Sequence, residues 1–215
     1  MFSGQIPFEP SSANGDRFDT QLPQGPAQAE GRCDRFCAII SDKFQLRRLQ
    51  VSDAEALFSA VDQNREHLAC WLPWPSATKT VRDTRDFICS KQELARANKG
   101  FAAALCCNQK IIGVIELHSI DWANWSSSVG YWIARAYQGQ GLMTTACRTV
   151  LDYGFSALGL NRIEIRCAAE NHRSKAIPQR LGFTHEGTLR QVQWLDNHYV
   201  DHLVYAILRQ DWPNR

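Results

Sequence analysis

Four residues, Gln138-Gly139-Gln140-Gly141, join the apolar run SSVGYWI (127–133) to a stretch with helical spacing that carries Leu142, Ala146, Val150 and Tyr153. A strand that ends in a glycine turn and restarts as a helix commits the chain to an α/β arrangement, with the helix packed back on the sheet. The same turn gathers several backbone N–H groups and the positive end of the helix dipole around one point. That geometry binds phosphate. Glycine suits it because such loops visit positive φ and because a Cβ would hinder the ligand.

The loop alone does not name its ligand. A P-loop requires G-x-x-x-x-G-K-[ST], and no Lys-Ser or Lys-Thr follows Gly141. The dinucleotide fingerprint needs a third glycine where Thr144 stands, and no acidic residue lies at the right distance beyond it. A turn with no ligand remains the alternative.

The surrounding pattern supplies the rest of a mixed α/β sheet. FQLRRL (44–49) reads as a strand, and Ser52-Asp53-Ala54-Glu55 has the capping-box spacing for a helix that runs to about Glu66. Pro73 and Pro75 interrupt regular structure beside Trp71 and Trp74, and a second helix is expected from Thr80 to about Asn98. FAAALCC and KIIGVIELHSI read as strands joined by a hairpin at Asn108-Gln109. The helix after Gly141 should continue to Leu158, with Gly159 capping its end. NRIEIRCAA follows as a strand, residues 174–181 as a short helix, and two strands fall near 184–195 and 199–208.

At 215 residues the chain fits one domain with a sizeable core. Residues 1–43, broken by four prolines and four glycines, are expected to be a disordered or loosely packed extension, although Phe36 to Ile40 are apolar enough to form an edge strand. The domain proper is expected over 44–215. A net charge of +2 gives no field suited to nucleic acid or an anionic membrane, and no apolar run reaches the length of a membrane span. The eight cysteines show no C-x-x-C or paired Cys/His spacing, so we expect reduced thiols in a cytoplasmic protein and no metal.

Four stretches in consistent order resemble the GNAT N-acetyltransferases. Gln138-Gly139-Gln140-Gly141 is similar to that family's Q/R-x-x-G-x-G/A loop, and AAENHRSKAIPQRLGFTHEG (168–187) to its E-N-x-x-S…G-F-x-x-E-G segment. CWLPW and the ending LVYAILRQDW resemble the RimJ/RimL branch, the ribosomal-protein N-acetyltransferases. The resemblance covers residues 44–212. It implies a GNAT fold: a central, mostly antiparallel twisted sheet with one splayed parallel pair, flanked by helices.

The resemblance also implies a cosubstrate and roles. Acetyl-CoA would lay its pyrophosphate on the Gln138, Gly139, Gln140, Gly141, Leu142 and Met143 loop, with its pantetheine arm along the strand through Tyr131, Trp132 and Ile133. A backbone N–H near Ile133 would stabilise the oxyanion. Asn171 would bind pantetheine and Ser174 would act as general acid, although Asn and Ser at a helix start are also ordinary caps. The tyrosine that many relatives use as acid is replaced here by Pro178. Trp71 and Trp74 would wall the acceptor site, or else pin a loop.

For the base, Glu116 is the first candidate, acting through water, and His118 on the same strand face is the second. Glu116 could equally be a salt-bridged strand residue, and His118 a packing residue. The acceptor is expected to be a protein or peptide N-terminal amine, whose pKa of about 7.7–8.0 asks less of a base than the ~10.4 of lysine. A small amine such as a polyamine, and a non-catalytic acyl-CoA-binding module, are the alternatives. A homodimer stays open.

Overall fold

The computed structural model describes residues 33–195 and 197–212, so the extension expected over 1–43 lies outside the described residues up to position 32. Strands β1 (Cys37–Ile39), β2 (Phe44–Arg48), β3 (Phe101–Cys107), β4 (Lys110–Leu117), β5 (Ser126–Ile133), β6 (Arg162–Ala168), β7 (Thr184–Leu195) and β8 (His198–Leu208) form one sheet. Its order is β1-β2-β3-β4-β5-β6-β8-β7. Every neighbouring pair is antiparallel except β5 and β6.

The apolar runs are continuous because both faces of the sheet are covered. Ala102, Ala104, Val114 and Trp132 face helices α1 (Ala54–Asp62) and α3 (Val81–Arg96), with Leu57, Val61 and Ile88 in the same cluster. Ala103, Leu105, Ile115, Ile163 and Ile165 face the opposite way, toward α4 (Leu142–Asp152) and α5 (His172–Arg180), where Ala146, Val150 and Ile177 meet them. The hairpin between β3 and β4 turns at Asn108 and Gln109, both at positive φ (46° and 70°), as a tight two-residue turn demands.

Cys33 and Phe36 also belong to the α4-side core, and Phe36 stacks on Phe101 at 4.5 Å. β1 then pairs with β2 along the sheet edge. At α3 the expected start holds: Thr80 Oγ1 accepts from Asp83 N at 3.3 Å, and the Asp83 carboxylate accepts from Thr80 N at 2.8 Å. At α1 the expected Ser52–Glu55 box is replaced by a contact two residues earlier, between Gln50 and Asp53. Residues 51–53 form a 3-10 turn, and the Asp53 carboxylate accepts from Gln50 N at 2.8 Å while pairing with Arg47 at 2.7 Å. The helix expected to reach Glu66 also breaks, into α1 and α2 (Arg65–Ala69). Asn64 between them donates to Ala60 O and accepts from Arg135 N, tying the break to the glycine loop.

The parallel pair opens the sheet. β5 and β6 are registered only at Ser126–Arg162, Ser127–Ile163 and Ser128–Glu164. From Val129 and Ile165 onward the two strands diverge.

Candidate active site

Ladder alternation decides which backbone groups face the opening. His118 N donates to Ser128 O at 2.8 Å and Ala134 N to Ile112 O at 2.7 Å, so even-numbered residues of β5 bond to β4. The N–H and C=O groups of Val129, Tyr131 and Ile133 therefore turn away from β4 into the gap beside β6. A cavity of about 930 Å³ fills that gap and runs on to the glycine loop.

At the loop end, Gly139 (φ 77°) and Gly141 (φ 75°) both adopt the left-handed conformation, and a Cβ on either would meet no atom within 4 Å. The space above them is left clear. Thr145 N is the first amide of α4 to find a helical partner, on Gly141 O, so the N–H groups of Leu142, Met143 and Thr144 face the cavity that those residues line. Arg148, Arg173 and Arg180 also line the cavity, Arg173 at the loop end beside Gln138. Gln138 spans it: its amide lies 2.6 Å from His67 Nε2 on α2, and its carbonyl accepts from Arg173 on α5. Gln140 does not line the cavity; its side chain turns back to Ala136 O.

Midway along the gap, Ser174 lines the cavity beside Tyr131. Tyr131 Oη lies 3.3 Å from Ser174 Oγ and donates to Ser174 O at 3.2 Å. Burial holds the Tyr131 phenol well above its ordinary pKa, so it stays protonated. Burial also pushes the Cys167 thiol up, while the Ser174 hydroxyl favours its ionised form. Asn171 lines the cavity and caps α5, accepting from Ser174 N at 3.1 Å. Pro178, at the position of the family's tyrosine, is buried within α5.

Across the sheet, on the α1/α3 face, His118 lines the cavity and Glu116 does not. Glu116 Oε2 lies 2.6 Å from Lys91 Nζ on α3 and 3.6 Å from His118 Nδ1. His118 is held close to β5 because Gly130 has no side chain; a Cβ there would stand 2.3 Å from His118 Nε2. Loss of solvent lowers the His118 pKa from its ordinary 6.5, Glu116 opposes the change, and Lys91 adds to it. Trp71 lines the cavity, whereas Trp74 packs on Trp132 at 6.2 Å and pins the loop from behind.

Residues 43–184 match the family model described as the acetyltransferase (GNAT) domain. The chain belongs to the GNAT acetyltransferase family. It is similar to the putative ribosomal N-acetyltransferase YdaF of Bacillus subtilis (strain 168), 34% identical over 82% of this chain and 97% of the relative. Among solved structures it resembles RimL, a ribosomal L7/L12 alpha-N-protein acetyltransferase in complex with coenzyme A, with a TM-score of 0.78. That match is 26% identical and covers 80% of this chain and 98% of the other. A spermidine N(1)-acetyltransferase of Vibrio cholerae is 26% identical over 82% of this chain and 99% of its own.

This GNAT acetyltransferase is an acetyl-CoA-dependent N-acetyltransferase, and its residues fit that cosubstrate. The clear space over Gly139 and Gly141, the α4 amides and Arg173 suit the phosphates, and the unpaired edge of β5 suits an amide-bearing arm. Among the described residues no cluster of His, Cys, Asp and Glu is arranged to hold a metal ion. The sequence did not single out Lys91, His67 or Arg173, which come from other elements and carry no local signature. It read Tyr131 only as a backbone contact, although its hydroxyl lies against Ser174.

Proposed function

We propose that the acetyl acceptor is the α-amino group of a protein N-terminus and that the reaction takes place in the cytoplasm. One observation carries this reading: among the described residues, those lining the cavity include five arginines and three histidines but neither Asp nor Glu. A polyamine brings several ammonium groups that would need carboxylates there, whereas an N-terminus brings one amine that is partly neutral at pH 7. The naming of YdaF and RimL as ribosomal acetyltransferases supports it, and the spermidine relative marks the rival. The eight cysteines are free thiols, the state that a reducing compartment maintains.

In this reading the loop amides and arginines hold the phosphates, and β5 holds the arm through its outward N–H and C=O groups. Acetyl-CoA supplies the activated thioester. The Ile133 N–H, facing the gap, is the donor for the carbonyl oxygen. His118, neutral at pH 7, takes the proton from the attacking amine, while Glu116, held by Lys91, orients the ring through Nδ1. Glu116 thus passes from base to positioning residue. The Ser174 hydroxyl, backed by the protonated Tyr131, gives a proton to the departing sulfur.

The test is a peptide carrying both a free α-amine and an internal lysine, incubated with acetyl-CoA and mapped by fragmentation mass spectrometry. Acetyl on the N-terminus supports the reading. Acetyl on the lysine alone contradicts it.

A further inference from the structure

We infer that the acceptor half of the cavity holds a carboxylate-binding subsite built from Arg166 and His202, so that the acceptor is an amine with a carboxylate near its nitrogen. The inference rests on the α-amine reading above and narrows it. Ile163 and Ile165 face α4, so Arg166 and Ala168 on β6 face the opposite side, the side of His118 and Trp132. His202 on β8 pairs with Ala168 and shares that face, with Gln193 of β7 beside it. Arg166, His202 and Gln193 all line the cavity.

Two features distinguish this cluster from an ordinary sheet surface. His202 Nε2 is buried and has no hydrogen-bond partner among the described residues. Such an atom is costly unless something completes it. Burial, and then the nearby Arg166 charge, lower the His202 pKa, so the ring is neutral and brings a single N–H. Arg166 is held in place by Glu164, which accepts from Nε at 3.1 Å and from Nη2 at 2.8 Å, yet its side chain is still 53% exposed. Glu164 itself is not among the cavity residues. Arg166 is therefore the cation offered on the acceptor face, and a carboxylate reaching it would also complete His202. Charge-assisted hydrogen bonds of this kind are the strong ones. The carboxylate has two sources, an acidic side chain following the N-terminal residue or the α-carboxylate of a free amino acid.

The experiment compares kcat/KM for the peptides Ser-Glu-Glu-Ala-Ala and Ser-Gln-Gln-Ala-Ala, and for serine and serinamide, with the wild type and with Arg166→Gln, Arg166→Lys and His202→Asn. We expect at least one pair to favour its carboxylate member by about tenfold or more. The preferred pair identifies the source. Arg166→Gln and His202→Asn should shrink that ratio, and Arg166→Lys should restore much of it, with melting temperatures reporting that each variant folds. Equal use of both members of each pair by the wild type would overturn the inference, as would variants that lower both members alike. Turnover without carboxylate preference removes only this subsite, whereas no turnover of any α-amine removes the acceptor reading itself.

Discussion

Glu116 Oε2 lies 3.6 Å from Nδ1 of His118, and it is His118, not Glu116, that lines the cavity. The Glu116 carboxylate, fixed 2.6 Å from Lys91, is placed to anchor the imidazole. In the proposed mechanism the two residues divide the work of the base, His118 taking the proton and Glu116 orienting the ring.

His118→Gln should lower kcat by about 10²-fold or more, the usual contribution of a general base. Glu116→Gln should cost less, because it removes only an orienting contact. The pH profile separates the roles. The ring must be neutral to act, and burial lowers its pKa from 6.5, so the acid limb of kcat should have its midpoint below 6.5 and disappear in His118→Gln. An acid limb that persists unchanged in that variant would assign the base elsewhere.

Gly130→Ala should separate activity from stability. Its Cβ would stand 2.3 Å from the tip of the His118 side chain, which can swing away, so the fold survives while the ring leaves its place. We expect a loss of about tenfold or more in kcat with little change in melting temperature. At Gly113 the atom met is Trp132 O at 2.4 Å, a backbone atom that cannot yield. Gly113→Ala should therefore destabilise by about 1–3 kcal/mol, read by chemical denaturation.

Much of this architecture is legible in the chain. The hairpin at Asn108-Gln109, the cap at Thr80 and the turn at Gly141 are local devices that short sequence patterns encode. The start of α1 was misplaced because Asp53 is taken up by Arg47 and Gln50, a tertiary choice that the Ser52–Glu55 spacing does not reveal. The break before α2 was missed for the same reason, since Asn64 stabilises it through Arg135. Phosphate-end residues could be read from the loop motif. Tyr131 Oη, Arg166 and His202 reach the cavity, and Lys91 reaches Glu116, only through packing and strand register, which no spacing in a single sequence reports.

Gly141→Ala tests the phosphate end. The left-handed conformation would cost a side chain about 1–2 kcal/mol. The added methyl would also enter space that no protein atom occupies within 4 Å. The KM for acetyl-CoA should rise several-fold, measured at saturating acceptor. An unchanged KM would place the phosphates elsewhere.

Ser174→Ala and Tyr131→Phe should each lower kcat, and the double variant should lose little more than the worse single one. Oγ and Oη lie 3.3 Å apart and, in the proposed mechanism, serve the same departing sulfur, so their effects should not add. Independent, additive losses, read from steady-state kinetics, would show that the two hydroxyls act separately.

The most direct measurement is release of free coenzyme A thiol from acetyl-CoA, comparing an N-terminal serine peptide with spermidine at matched concentrations. The absence of Asp and Glu among the described residues of the cavity lining predicts robust turnover with the peptide and little with spermidine. Efficient turnover of spermidine, with none of the peptide, would contradict it.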